Sequence, residues 1–243
     1  MTREAFLPPP RKGVVYHCAE LARLLGRHAN TLRQYEVWGF ISAVPRQANG
    51  YRAYSARHAL EALIAVTALR TSFNDWRGRR MMLDLIRAVA AGRYPEAESL
   101  LYQYENLLAE AEDKVRRAKE ILEAWQSGER GGEQLIVGRW SAAELIGVAP
   151  DTLRDWERSG LVKPGRQENG RRTYDGPTLD RLLVIKVLRE GGYSLMGIRH
   201  LLSGEGTMAD LSHARDRWAL TLNGLVADTR LLREALNHLS GID

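Results

Sequence analysis

Hydrophobic positions along the chain fall into short helical-period runs, brief extended stretches and two long heptad seams. Apolar residues return at the spacing of one helix face from Ala19 to Leu25 and again from Ala142 to Ile146. Each run stops at a glycine, Gly26 or Gly147, the residue that most readily ends a helix in the left-handed conformation. A second helix is predicted near 29–38 and near 150–159, stopping at Gly39 or Gly160. In the later copy Pro150 stands where a first helical residue tolerates proline, and Asp151 beside it faces the positive end of the helix dipole. Helix, tight turn and helix within about 20 residues is the helix-turn-helix pattern.

Extended flanks follow each pair, Val44 to Gln47 and Tyr51 to Tyr54 in the first copy, around Asn49-Gly50 and, in the second, Asn169-Gly170. Asn-Gly is a strong hairpin signal because both residues tolerate positive φ, so a small two-stranded wing is predicted. A third helix begins near Ala56 or Pro177, carrying Leu60, Leu63, Ile64 and Leu69, or Leu179, Leu182, Leu183 and Leu188. A shorter fourth helix is predicted near 76–91 and 194–202.

The remaining segments change period. Ala97, Leu101, Tyr104, Leu108, Ala111, Val115, Ala118, Leu122 and Trp125 alternate four and three apart, the seam of a coiled coil. Met208, Leu211, Arg215, Trp218, Leu222, Leu225, Thr229, Leu232, Leu236 and Leu239 continue that alternation near the end, interrupted by the polar Arg215 and Thr229. Such a seam packs either onto a partner helix or onto the neighbouring module, and sustained heptads favour a partner helix.

The chain also resembles itself. TLRQYEVWGFISAVPRQANGYRAYS over 31–55 aligns with TLRDWERSGLVKPGRQENGRRTYD over 152–175. Thr31-Leu32-Arg33 pairs with Thr152-Leu153-Arg154, Glu36 with Glu157, Asn49-Gly50 with Asn169-Gly170, and Arg52 and Tyr54 with Arg172 and Tyr174. Two modules of one kind, half a chain apart, organise the 243 residues. The predicted segments are 12–92 (first module), 93–134 (long helix and linker), 135–204 (second module) and 205–243 (C-terminal long helix). The linker, Gln126 to Glu133, is flexible by composition.

Composition narrows the classes without choosing among them. At 44% hydrophobic and 27% charged the chain has enough apolar residues for a packed core. No apolar run approaches the length of a membrane helix, and the first ten residues hold no secretory pattern. A single cysteine, Cys18, excludes an internal disulfide framework and a multi-cysteine metal site within one chain, and points to the cytoplasm. No cofactor or metal is expected. Walker-type, Gly-x-Gly-x-x-Gly, nucleophile-elbow and His-Glu-x-x-His patterns are all missing, so an enzyme is not expected.

The net charge of +5 is unevenly spread: residues 11–80 carry +8, 81–134 carry −4, 135–203 carry +3 and 204–243 carry −2. The repeated modules are thus basic and the long helices acidic, the distribution of two surfaces that face a polyanion.

With these residues in place, the sequence resembles the mercury-resistance regulator (MerR) family of bacterial winged helix-turn-helix transcription factors. The resemblance rests on Thr-Leu-Arg-x-aromatic-Glu, the following glycine and apolar pair, Asn-Gly-x-Arg-x-Tyr and the leucine-rich third helix, twice over. It implies a mainly α fold with two winged helix-turn-helix modules, each followed by a long helix, joined by an antiparallel coiled coil. It implies double-stranded DNA as partner, the second helix in the major groove and the wing on the adjacent backbone. It further implies RNA polymerase at a promoter whose spacer is bent or undertwisted. Most members carry one module per chain and act as homodimers, so two modules in one chain is a departure. A monomeric pseudo-dimer is favoured, with helices 95–126 and 208–239 pairing within one chain, and a true homodimer is the alternative. The rival function is an architectural or excision-type DNA-bending protein.

The candidate contacts in the first module are Thr31, Arg33, Gln34, Tyr35, Arg46, Tyr51, Arg52 and Tyr54. In the second they are Thr152, Arg154, Asp155, Trp156, Arg166, Arg171, Arg172 and Tyr174. Arginine can grip guanine or phosphate and glutamine can read adenine. Tyr35 and Trp156 either offer a polar edge to phosphate or belong to the core. Arg52, Arg171 and Arg172 are expected on phosphates, and Tyr54 and Tyr174 are expected to pack the wing while offering a hydroxyl. Asp155 would repel phosphate, so the two copies are not expected to read identical half-sites. Any small ligand would have to use aromatics such as Trp76, Tyr102, Tyr104, Trp125, Trp140 and Trp218.

Overall fold

A computed structural model describes residues 14–71, 76–128, 135–203 and 208–241. The N-terminal segment, most of the linker, from Glu129 to Glu133, and the boundary near residue 204 lie outside the described residues, as do the side chains of Trp76, Gln126 and Met208. The fold is mainly α. Its residues form two compact units, one of Met1–Leu108 with Gly224–Asp243 and one of Ala109–Asn223.

In the first unit, α1 (Cys18–Leu24) and α2 (Ala29–Val37) form the predicted helix-turn-helix. Helix α2 ends against Gly39 at φ 67°, where the Phe40 N–H reaches back to the Tyr35 carbonyl at 2.8 Å. Helix α3 (Ala56–Arg70) starts at Ser55, whose hydroxyl accepts the His58 N–H while the His58 ring accepts the Ser55 N–H, a reciprocal cap. Helix α4 (Trp76–Ala90) and the long α5 (Tyr94–Ser127) follow. Leu21, Leu32, Ile41, Tyr54 and Ile64 are buried together with Tyr35 and Phe40, whose rings lie 5.8 Å apart.

The second module repeats this order after a short strand, β1 (Val137–Gly138). It contains α6 (Arg139–Ile146), α7 (Pro150–Arg158), β2 (Gly165–Arg166), β3 (Arg172–Tyr174), α8 (Gly176–Glu190) and α9 (Leu195–Leu202). The last helix is α10 (Met208–Ser240). The strands make an antiparallel sheet in the order β1-β3-β2, with Val137 opposite Tyr174 and Arg166 opposite Arg172. The first module makes the matching contacts as isolated bridges, Tyr16 with Tyr54 and Arg46 with Arg52. The strand ahead of the first helix was not anticipated, since two residues are too few to show alternation.

The wing turn closes between the predicted flanks, with Ala48, Asn49 and Gly50 as its loop. The Gln47 N–H reaches the Tyr51 carbonyl at 2.9 Å and the Gly50 N–H reaches the Gln47 carbonyl at 2.8 Å, which makes a three-residue loop. Only Gly50 (φ 80°) is left-handed there, and Asn49 is not. Instead the Asn49 side chain accepts the Tyr51 N–H at 3.1 Å, an Asx turn that fixes the loop from within. The second copy repeats each feature, with Gly170 at φ 77° and Asn169 accepting the Arg171 N–H at 3.0 Å.

The heptad seams are buried over most of their length, with Trp125 at the end of the α5 seam half-buried. In α5 the first unit contains Ala97, Leu101, Tyr104 and Leu108, and the second contains Ala111, Val115, Ala118 and Leu122, all nearly inaccessible. In α10 the expected Arg215 is displaced from the seam by Ala214, one position earlier, and Asp228 joins Thr229 among the buried residues. The Arg215 side chain nonetheless stays only 12% exposed, and its guanidinium is satisfied by Asp216 at 2.6 Å. Among the described residues no helix is long and apolar enough to cross a membrane.

Candidate nucleic-acid interface

Each module builds a groove between the start of its first helix and its wing, which in the first module also takes in the second helix. In the first module the groove encloses about 490 Å³ and is lined by His17, Cys18, Ala19, Ala29, Arg33, Arg46, Gly50, Tyr51 and Arg52. In the second it encloses about 580 Å³, lined by Gly138, Arg139, Trp140, Ser141, Gly170, Arg171 and Arg172. The two grooves share matching positions of the repeat, and four of the predicted residues in the first module (Arg33, Arg46, Tyr51 and Arg52) and two in the second (Arg171 and Arg172) are brought together.

The second helix of each module, α2 or α7, exposes one face. Arg33 and Arg154 are exposed, Thr31, Gln34 and Thr152 are half-buried, and Asp155 is exposed. Tyr35 and Trp156 are only 4% and 5% accessible, so their rings are core, and the core alternative is the one the structure adopts. Burial raises the Tyr35 pKa, against the pull of the nearby Arg27 guanidinium. These aromatics lie one turn from Leu32 and Leu153, on the face that packs inward.

A carboxylate that the contact prediction omitted holds each wing to its recognition helix. Glu36 accepts from Arg52 Nε at 2.6 Å and from the Val44 N–H at 3.2 Å. Glu157 accepts from Arg172 Nε at 2.5 Å, with Arg166 3.9 Å away. Partial burial pushes Glu36 upward, yet the Arg52 and Val44 donors and the Arg46 charge outweigh it and leave its pKa below the ordinary carboxylate value. Arg52 and Arg172, expected on phosphates, each already hold a carboxylate. They are clamped, although both still line the grooves and a guanidinium retains further donors. The repetition of Glu and Arg at matching positions in both copies was the signal that could have revealed the pair.

The wing tyrosines also depart from expectation. Tyr54 and Tyr174 are fully buried, so they pack the wing without presenting a hydroxyl to the surface. The Tyr54 hydroxyl donates to Cys18 Sγ at 3.6 Å. In the second copy Arg139 replaces that thiol, and among the described residues the Tyr174 hydroxyl has no hydrogen-bond partner. Burial raises the pKa of both phenols.

At the wing tips Arg46 and Arg166 each donate to the carbonyl of the following glycine, at 3.1 and 3.3 Å. This holds both guanidinium stems across the turn while leaving them exposed. Tyr51 is 68% exposed, and Arg171 occupies the corresponding place in the second wing. A second difference sits behind the turn after each recognition helix. Buried Glu61 accepts from the Ser42 N–H and hydroxyl, both at 2.7 Å, and from Arg57 at 2.9 Å. The matching Arg181 donates to the Leu161 carbonyl at 2.6 Å and the Leu202 carbonyl at 3.3 Å, and burial lowers its pKa.

The aromatics considered for a small ligand do not converge within either unit. Tyr104 is buried with its hydroxyl donated to the Thr71 carbonyl, and Trp218 is buried, whereas Tyr102 and Trp140 are exposed. Among the described residues no three His, Cys, Asp or Glu side chains are grouped to hold a metal ion.

A family model described as the MerR HTH family regulatory protein matches residues 16–72 and again 141–205, half of the chain in all. The chain is similar to a putative heat shock protein HspR of Streptomyces coelicolor, 34% identical over 41% of this chain and 66% of that protein. It is similar to nodulation protein NolA of Bradyrhizobium diazoefficiens, 35% identical over 42% of this chain and 44% of that one. The mercuric resistance operon regulatory protein of Bacillus cereus is 44% identical over 25% of this chain and 46% of its own length. The match thus spans about half to two thirds of these relatives. No solved structure shows a significant match.

Proposed function

Because the chain belongs to the MerR helix-turn-helix family of regulatory proteins, we propose that it is a sequence-specific, double-stranded-DNA-binding transcriptional regulator. It acts in the cytoplasm as a binding protein rather than an enzyme. Its two winged modules hold a promoter element and distort the spacer between the half-sites, which changes how RNA polymerase meets the promoter. The observation that carries this reading is the repeated groove, in which wing arginines line one concavity in each module, Arg46 and Arg52 in the first and Arg171 and Arg172 in the second, joined in the first by the exposed Arg33 of α2. Such a concavity suits a phosphate backbone beside a major groove, where backbone contacts position the protein and helix side chains read base edges. The names of relatives as operon and transcriptional regulators support it.

The functional unit is a single chain acting as a pseudo-dimer, with α5 and α10 pairing antiparallel. Supporting this, Arg233 on α10 donates to Glu105 on α5 at 3.0 Å within the first unit. Bending a site costs a few kcal/mol, which contacts from two wings on one polypeptide offset. The test is Arg33→Ala in the full chain against a selected operator duplex. Specific binding weakens by about 1–3 kcal/mol while a scrambled duplex loses much less. Equal losses on both duplexes would remove Arg33 from base reading.

A further inference from the structure

The two modules share one fold but carry opposite charge arrangements at matched positions. On α2 the exposed face offers Arg33 beside neutral Gln34, and its one carboxylate, Glu36, is committed to Arg52. Among the described residues Arg33 has no acidic partner. On α7 the same face carries Arg154 3.7 Å from Asp151, and Asp155 2.6 Å from Arg158. Both aspartates are largely exposed, at 86% and 59% of the side chain, so they confront any approaching phosphate. Exposed ion pairs of this kind are weak and can open. Their opening does not remove the carboxylates, which keep the face near neutral.

The rest of the groove compensates in the other direction. Where the first module places Cys18 and Ala19 at the start of its first helix, the second places Arg139 and Trp140. Where the first wing carries Tyr51, the second carries Arg171. Arg171 is exposed and Trp140 is 74% exposed; both line the groove together with the half-buried Arg139. Positive charge has moved from the helix that enters a groove to the elements that flank the backbone. An indole beside two guanidinium groups adds an apolar face for deoxyribose without selecting a base.

We propose that the modules divide the work: the first supplies base selectivity through Arg33 and Gln34, and the second anchors the duplex backbone through Arg139, Trp140 and Arg171. This rests on the DNA-binding reading above. It predicts an operator with one well-defined half-site and one weakly defined half-site, rather than a palindrome. Cations on phosphate govern the salt dependence of binding and are indifferent to sequence, whereas base contacts govern preference.

The test is selection by the full chain from a pool of randomised duplexes, followed by salt titrations of the recovered sequence. The wild type should enrich one conserved half-site. Arg33→Ala should flatten it with an affinity loss of about 10–100-fold, and Arg154→Ala should change affinity by less than about threefold. Arg139→Ala with Arg171→Ala should weaken selected and scrambled duplexes alike and make the log–log salt slope shallower by about two. Two equally conserved half-sites, the second erased by Arg154→Ala, would overturn the division of labour while leaving DNA binding intact. No retention of any duplex at low salt would overturn the DNA-binding reading itself.

Discussion

Glu36 ties three pieces of the first module together, since its carboxylate receives the wing through Arg52 and the strand entry through the Val44 N–H. The pair is about one-fifth exposed on each side, so it is neither a free surface bridge nor a dry interior one. Replacing Glu36 by glutamine keeps the shape and removes the charge. The expected cost is about 1–2 kcal/mol, the scale of a charge-assisted hydrogen bond partly open to water, read as a lower denaturation midpoint at neutral pH. The pH dependence has a definite sign. A carboxyl whose folded pKa lies below its ordinary value of 4.5 contributes stability that is present above that value. The contribution is lost as pH falls through the depressed folded pKa. Glu36→Gln should therefore differ most from wild type at neutral pH and converge with it in acid. A difference that persists unchanged to pH 3 would remove the clamp's charge from the account. Arg52 and Glu36 were both visible in the repeat, but the sequence gives no depth. An arginine on a predicted wing looked like a phosphate contact because its partner stands sixteen positions earlier, on another element. The same blindness applies to Tyr54 and Tyr174, whose motif positions were plain and whose complete burial was not.

The helices were the most legible elements, because glycine stops and apolar periods are local features that tertiary packing here reinforces. The heptad seam of α5 is buried at each position from Ala97 to Leu122. The seam of α10 was harder to read, since Arg215 and Thr229 interrupt it, and the structure resolves the conflict by stepping to Ala214 and adding Asp228. A buried aspartate has no place in an apolar pattern. Its reason is Arg70 at the end of α3, which donates to it through Nε at 3.0 Å and through a terminal nitrogen at 2.6 Å. The adjacent Thr71 hydroxyl lies 3.5 Å from the same carboxylate. This bridge joins the first module to α10 within one unit, and its two halves are not equivalent. The Arg70 side chain is about half exposed and Asp228 is 5% exposed. Removing the arginine strands a buried carboxylate, whereas removing the carboxylate leaves a guanidinium that water can reach. Arg70→Ala is expected to cost about 3 kcal/mol and Asp228→Asn about 1–2 kcal/mol. Chemical denaturation of both variants checks the order, and a costlier Asp228→Asn would reverse the argument. The wing strands were legible only as a place for a turn. Asn-Gly suggested positive φ at both residues, whereas only Gly50 adopts it and Asn49 acts through the Asx bond of its side chain.

At the level of the whole molecule, the +5 net charge separates into basic modules and acidic long helices, and within the modules it separates again. The first module keeps on α2 an arginine, Arg33, with no acidic partner among the described residues, and the second keeps its extra arginines on the first helix and wing. In the pseudo-dimer proposed above, two grooves on one polypeptide would replace the two chains that a one-module protein needs; within each unit, segments of α5 and α10 supply buried apolar seams. The architecture was readable from self-similarity because the motif occurs twice. The asymmetry was half readable: Asp155 was conspicuous, but its pairing with Arg158 and the exposure of Trp140 required the structure. The central claim is that one chain, with both its modules, forms the DNA-binding unit. Sedimentation of the full chain with a labelled duplex carrying the selected site tests it most directly. The account predicts a complex of one 27.4 kDa chain with one duplex, whose dissociation constant rises steeply with salt as several phosphate contacts are released. A saturated complex containing two chains on that duplex, or no complex at low salt, would contradict it.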